Sequence, residues 1–241
     1  MAGMRLDKIL AKSGFGSRKD VKKLVSERRV TVNGVVATDS GMKAEETEVL
    51  VDGNPVCYKE FIYLLMNKPQ GVVSSTEKGP SQTVIDLLSE EHKKFEPFPV
   101  GRLDKDTEGL LLITNDGQLA HELLAPKKHV DKTYYAKIAG KVTETDVKAF
   151  AEGLDIGEKK NTLPAKLEIL KSDSISEIHV TLHEGKFHQV KRMFEAVGKK
   201  VVFLKRIRMG DMELPMDLEA GQYREVDRDF VQNAQKNKIT L

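Results

Sequence analysis

The chain has 241 residues, with 39 Lys and Arg, 37 Asp and Glu, and one Cys, for a formal net charge of +2. A lone Cys57 excludes an intramolecular disulfide framework and any multi-thiolate zinc or iron–sulfur site. The apolar runs, such as 109–113, fall far short of a bilayer span, and Arg5, Asp7 and Lys8 stand where a secretory leader needs an apolar core. A cytoplasmic, globular protein with no membrane association is expected, built as one large domain or as a small one plus a medium one.

Leu6, Ile9 and Leu10 have helical spacing, and Gly14, Phe15 and Gly16 end that helix. Ser17 reads as the N-cap of a second helix carrying Val21, Leu24 and Val25. At about 100° per residue, those three fall on one side, and Arg18, Lys19, Lys22 and Lys23 form a basic stripe on the other. Residues 1–29 hold nine bases against three acids, net +6, whereas residues 30–60 hold two against six, net −4. A concentrated basic patch suits phosphate-backbone binding, a solvated helix face being the other reading of such a run. Asn33-Gly34 between two Val-rich pairs predicts a hairpin, because both turn residues tolerate positive φ. A strand at 49–51 and a turn at 52–55 close this module.

Beyond the polar connector 57–60, strand-like runs at 61–66, 109–114, 133–138, 167–170, 177–182 and 201–204 interleave with helical patterns at 84–88, 119–124, 143–151 and 189–197. Thr143 with Asp146 makes a capping-box variant, and Gly153 ends that helix. The fold class expected is α+β: a small αα-β-hairpin domain at 1–58, and a mixed, largely antiparallel α+β domain at 59–230. A polar C-terminal tail is expected at 231–241, and residues 1–3, ahead of Met4, carry no weight.

No G-x-x-x-x-G-K-[ST] loop and no G-x-G-x-x-G after a strand exist, so a bound nucleoside triphosphate, NAD or FAD is not expected. The six histidines lack the i, i+4 spacing of a helical zinc pair. Asp104, Asp106, Glu108 and Gly109 match positions 1, 3, 5 and 6 of a calcium loop, but position 12 is Asn115 rather than Glu. No metal is expected. What remains is Asp104 on a polar loop, flanked by Arg102 and running into an apolar strand. Loops held by rigid strands concentrate catalytic groups, although an Asp capping a turn has the same appearance. A second basic segment, 185–208, has eight bases against Glu195 alone, net +7. Val190, Met193, Phe194 and Val197 form one apolar helix face there. Lys191 and Arg192 lie off that face, free to hold an acid partner ionised or to remain solvated.

Arg5-Leu6-Asp7-Lys8, Gly16-Ser17-Arg18 and Arg29-Val30-Thr31-Val32-Asn33-Gly34 make residues 4–58 resemble the alpha-L RNA-binding fold first seen in a small-subunit ribosomal protein. Gly101-Arg102-Leu103-Asp104 with Thr107 and Gly109-Leu110, then Lys132-Thr133-Tyr134, then the run from Gly185 to Met193, are similar to the three motifs of the RsuA-like ribosomal RNA pseudouridine synthases. Asn67-Lys68-Pro69-Gln70-Gly71 resembles the strand end that opens their catalytic domain, so the likeness spans residues 4–227.

That resemblance implies an isomerase that needs no cofactor or metal, with Asp104 as its essential carboxylate. It implies that Tyr134 stacks on a flipped uracil, that Arg102 supports the vacated position, and that Lys191 pairs with Asp104. Many relatives carry Arg at the position of Lys191, so a single-point contact is expected rather than a bidentate one. RNA backbone contacts are expected from Arg5, Lys12, Arg18, Lys19, Lys22, Lys23, Arg28 and Arg29, and from Lys186, Arg192, Arg206 and Arg208 in the second basic segment. The run from Lys186 to Arg192 resembles the small-subunit branch more than the large-subunit branches. The expected partner is ribosomal RNA, free or in a pre-ribosomal particle, acted on by a monomer. A large-subunit enzyme, a non-catalytic ribosome-assembly factor and an RNA glycosylase are the competing readings.

Overall fold

The computed structural model describes residues 3–45, 48–56, 58–77, 79–125 and 130–233. Cys57 and tail residues 234–241 lie outside the described residues. The chain divides into two compact units, Met1–Ile62 with Leu88–Pro97, and Tyr63–Leu87 with Phe98–Leu241.

The first unit runs β1 (Met4–Arg5), α1 (Leu6–Lys12), α2 (Arg18–Ser26), β2 (Val30–Val32), β3 (Val35–Val36), β4 (Lys43–Ala44), β5 (Val49–Val51) and β6 (Asn54–Pro55). Helix α2 starts at Ser17 because Ser17 and Asp20 cap it reciprocally, the Asp20 carboxylate accepting the Ser17 N–H at 2.8 Å. Asn33 and Gly34 take φ of 51° and 76°, the pair of left-handed residues a type I′ hairpin requires. Residues 54–55, expected within a turn, instead extend the sheet as β6, whose order is β3-β2-β5-β6. Leu6, Ile9, Leu10, Val21, Val25, Val30 and Val51 form the core between the helices and this sheet.

Helix α3 (Glu90–Lys93) belongs to the first unit. A helix expected at 84–88 is absent, and turns occupy that stretch. The cause is local: the Asp86 carboxylate accepts both the N–H and the hydroxyl of Thr83, at 2.8 and 2.9 Å, offering the backbone an alternative to helical bonding. The helix starts only after Ser89 supplies a cap to His92 N–H.

The second unit contains β7 (Tyr63–Lys68), β8 (Phe98–Pro99), β9 (Glu108–Thr114), α4 (Gly117–Leu124), β10 (Lys132–Ala139), α5 (Glu144–Glu152), β11 (Lys166–Lys171), β12 (Ile175–Leu182), α6 (Gln189–Ala196), β13 (Lys200–Met209), β14 (Met212–Glu213), β15 (Tyr223–Glu225) and α7 (Arg228–Asn233). Seven strands lie in the order β11-β12-β10-β13-β9-β7-β15, with β14 beside β13 and β8 beside β9. Strand β12 alternates as its sequence predicts, Ile178, Val180 and Leu182 facing a core completed by Phe150 of α5 and by Met193 and Phe194 of α6. The rings of Phe150 and Phe194 meet at 4.8 Å. Strand β13 is much longer than 201–204 because β10 pairs with it along its length. Residues 231–233 of the expected polar tail belong to α7, where Val231 is fully buried. Among the described residues no helix is long and apolar enough to cross a membrane.

The sheet departs from antiparallel order where β9 runs parallel to β13, with Gly109 opposite Arg206. Gly109 has φ 107°, and a Cβ there would lie 2.2 Å from the Arg206 carbonyl oxygen. Only glycine permits this approach. Gly109→Ala should therefore destabilise the second unit by about 2 kcal/mol or more, a fall in Tm of roughly 4–8 °C. Gly117→Ala, at a helical position with open space around it, should leave Tm unchanged or raised. Thermal unfolding followed by circular dichroism compares them, and equal melting would show that the β9–β13 approach relaxes freely.

Candidate active site

Asp104 lies on the loop between β8 and β9, and the loop is held by its backbone. Lys68, at the end of β7, is fully buried and directs its ammonium beneath the loop. It donates to the carbonyls of Pro69, Asp104 and Thr107 at 3.0, 3.0 and 2.9 Å. Burial lowers the Lys68 pKa to about 8, against the opposing pull of Asp106, Asp104 and Glu108, so it is charged at neutral pH. The Ser74 hydroxyl clasps Leu103, accepting its N–H and donating to its carbonyl, both at 3.1 Å. The Gly71 N–H bonds the Lys105 carbonyl at 2.8 Å. With the main chain fixed, the Asp104 side chain is left 27% exposed, facing a cleft of about 870 Å³.

Helix α6 aims a cation at this carboxylate. Lys191 Nζ lies 3.0 Å from Asp104 Oδ2 and 2.6 Å from Asp106 Oδ1. Burial works against the Lys191 charge, but its hydrogen bonds to Asp106 and Asp104 outweigh that and raise its pKa. The Lys191 hydrogen bond correspondingly lowers the pKa of Asp106. His188, the N-cap of α6 at φ 49°, stacks on Phe187 with ring centroids 3.8 Å apart. Its Nε2 lies 3.6 Å from Asp104 Oδ1. Tyr134 on β10 and Arg102 line the same cleft, so Asp104, Arg102, Tyr134 and Lys191 converge as the sequence motifs suggest.

Lys68, Asp106 and His188 are site residues that motif reading left unassigned. For Lys68 a signal existed: a lysine two residues past the apolar run Leu64-Leu65-Met66 at a strand end is an uncommon placement and needs a partner set. For Asp106 and His188, only the fold reveals their proximity to Asp104.

The expected RNA contacts divide sharply. In the first unit, Arg18, Lys19, Lys22, Lys23, Arg28 and Arg29 are all exposed. Arg29 is engaged with Asp52 at 2.6 Å, Arg5 with Asp7 at 2.8 Å, and Lys12 with Glu60 at 3.9 Å. Lys23 lies 3.8 Å from Glu27. No ion pair engages Arg18, Lys19, Lys22 or Arg28 among the described residues.

In the second unit the expected contact residues are engaged with partners within the protein. Lys186 donates to the carbonyls of Lys160 and Asn161, and Arg192 binds Glu158 at 2.8 Å and the carbonyls of Phe187 and Ile156, so both staple the start of α6 to the 156–161 segment. Arg208 closes the β13–β14 turn on Asp211 and the Gly210 carbonyl. Arg206 is 2% exposed, with its Nε donating to the Leu110 carbonyl. A two-against-three irregularity between Thr133/Tyr134 and Arg208/Arg206 sends these two arginines to opposite faces of the sheet.

Comparison with known proteins agrees with this geometry. The family described as RNA pseudouridylate synthase matches residues 62–196, and the S4 domain matches residues 4–50. An RNA pseudouridine synthase of Bacillus subtilis is 53% identical over 226 residues, covering 92% of this chain and 95% of the relative. Ribosomal small subunit pseudouridine synthase A of Escherichia coli is 39% identical, covering 92% and 95%. Ribosomal large subunit pseudouridine synthase B of Bacillus subtilis is also 39% identical, covering 92% and 91%. A crystal structure of a pseudouridylate synthase superposes with a TM-score of 0.68 at 36% identity, covering 96% of this chain and 99% of that one. The pseudouridylate synthase match, the S4 match ahead of it and relatives 39–53% identical over most of the chain place this protein in the Rsu-type branch of the RNA pseudouridine synthases, the family to which it belongs.

Proposed function

We propose that this protein converts one uridine of small-subunit ribosomal RNA to pseudouridine, with Asp104 as the carboxylate on which the reaction depends. The observation that carries the reading is the Asp104–Lys191 contact at 3.0 Å at the wall of an open cleft. Lys191 holds Oδ2, and His188 Nε2 lies 3.6 Å from Oδ1. The isomerisation breaks the bond from uracil N1 to ribose C1′, forms one from C5 to C1′, releases the C5 proton and returns a proton to N1. Atoms balance without an external donor, acceptor or energy source. A uridine in a stack cannot present C1′ to Asp104, so it leaves the stack, at a cost of a few kcal/mol. Tyr134 stands in the cleft to stack against the extruded base, and Arg102, exposed at the cleft rim, supports the vacated place. Pure RNA binding needs none of these groupings.

The small-subunit target is supported by the likeness of the run from Lys186 to Arg192 to that branch and by relatives of that name. The exposed stripe Arg18, Lys19 and Lys22 anchors the RNA backbone through the S4 domain, and the substrate is free ribosomal RNA or an assembling particle visited by a monomer.

Asp104→Asn preserves shape and should leave RNA affinity within about twofold while lowering tritium release from 5-tritiated uridine in RNA by roughly 10²-fold or more. Residual release of more than a few per cent would sink the catalytic assignment. Free uracil among the products would mark a glycosylase, since the isomer keeps the mass of the RNA. Carbodiimide-resistant stops on ribosomal RNA, compared between cells with and without the protein, then identify the subunit and the uridine. A stop lost from large-subunit RNA would move the target.

Replacing Arg18, Lys19 and Lys22 together with Ala should weaken RNA binding. It should also flatten the dependence of log Kd on log salt by about 0.7–0.9 per lost phosphate contact. An unchanged slope would show that the stripe is merely solvated.

A further inference from the structure

The floor of the cleft holds two cations that the reading above does not use. Lys132 and Tyr134 alternate onto one face of β10, and Arg206 stands directly across from Tyr134 on β13. All three line the cleft. Arg206 is 2% exposed, yet its Nη2 is buried without any hydrogen-bond partner, its Nε alone being satisfied by the Leu110 carbonyl. Lys132 Nζ donates to the Val130 carbonyl at 3.0 Å. Among the described residues neither cation has a carboxylate within ion-pairing distance.

The nearby acids are engaged elsewhere. Asp131 lines the hollow on the opposite face of the sheet and is held by His183 at 2.6 Å. Glu184 accepts from the Gln189 amide and the Leu163 N–H, both at 2.8 Å. Asp104 belongs to Lys191. Burial pushes the Lys132 ammonium down to about 8, with repulsion from Arg206 adding to it. Two adjacent cations without a counter-ion, one carrying an orphaned buried donor, make an arrangement that an incoming oxyanion completes.

We infer that Arg206 and Lys132 form an anion subsite in the cleft floor that takes a backbone phosphate of the RNA strand at the target nucleotide. This differs from an outward basic patch: the contact is made inside the cleft, beside the stacking face of Tyr134. Arg206 offers its unsatisfied nitrogen and Lys132 its ammonium, so the nucleotide is gripped by its charge as well as by its base. The phosphate fixes how far the ribose can slide along the cleft relative to Asp104. The inference deepens the proposed reaction and rests on it for the identity of the RNA, while the subsite itself is tested by binding.

The probe is a short fluorescent oligouridylate bound to the full chain, with anisotropy read across a salt series. Lys132→Met should flatten the slope of log Kd against log salt by about 0.7, the increment for one single-strand phosphate contact, and Lys132→Arg should restore it. Arg206→Gln should remove a similar increment. Should that variant unfold, as a buried site allows, the Lys132 pair carries the test alone. A slope in Lys132→Met equal to that of the unaltered chain overturns the subsite. Tritium release by the unaltered chain is measured separately. Release without a slope change defeats the subsite and leaves the isomerase reading standing, whereas a slope change without release defeats the isomerase reading and leaves the subsite.

Discussion

Everything at the active site depends on one buried ammonium. Lys68 satisfies its donors with the Pro69 carbonyl and with the Asp104 and Thr107 carbonyls of the β8–β9 loop, and by doing so it converts a polar connection between two strands into a rigid shelf. A fully buried lysine is costly unless its hydrogen bonds are met, because the charged form loses its hydration. Here the loop's own main chain supplies the replacement, so the cation and the loop geometry stabilise each other. Asp104 inherits its position from this backbone frame rather than from its side-chain partner. Opposite Lys68 stands Gly109 of β9, whose missing Cβ lets β9 approach β13 closely at Arg206.

Charge in this molecule follows two different rules. In the first unit the cations of α2 stay on the surface because the helix has a single apolar face, and Val21 and Val25 occupy it. Their electrostatic reach is long and unspecific, which suits holding a phosphate backbone. In the second unit several basic residues of 185–208 are instead drawn onto carbonyls and carboxylates of the protein itself. Lys186 and Arg192 hold the start of α6, which in turn aims Lys191. A net charge per segment cannot separate these cases, since it counts cations without asking what faces them.

Much of the architecture was legible because it rests on local signals. The Asn33-Gly34 hairpin, the Ser17 cap and the alternation along β12 each follow from conformational preferences within a few residues. The loop stood out as a motif, through Gly101 to Asp104, and the structure lines the same cleft with Tyr134 and Lys191. What could not be read depends on partners distant in the chain. The 84–88 stretch has a helical pattern that Asp86 defeats by binding Thr83. Arg206 and Arg208 are two apart, which on a regular strand puts them on one face. An extra residue opposite Tyr134 and Thr133 separates them, so one enters the cleft floor and the other closes a turn on the reverse side.

The choice of lysine rather than arginine at 191 has a geometric consequence for the reaction. A guanidinium fork tends to bind both oxygens of a carboxylate at once, whereas an ammonium is a point charge with three diverging donors. Lys191 uses that freedom to hold Asp104 through Oδ2 and to reach Asp106 at the same time. Oδ1 of Asp104 is left without a direct donor from Lys191, and the nearest titratable neighbour, His188 Nε2, stands at 3.6 Å, beyond a hydrogen bond. The carboxylate is therefore held by the ammonium at one oxygen, with the imidazole beside the other. Asp106 shares the same ammonium, so a single cation bridges the two carboxylates and couples their positions on the loop.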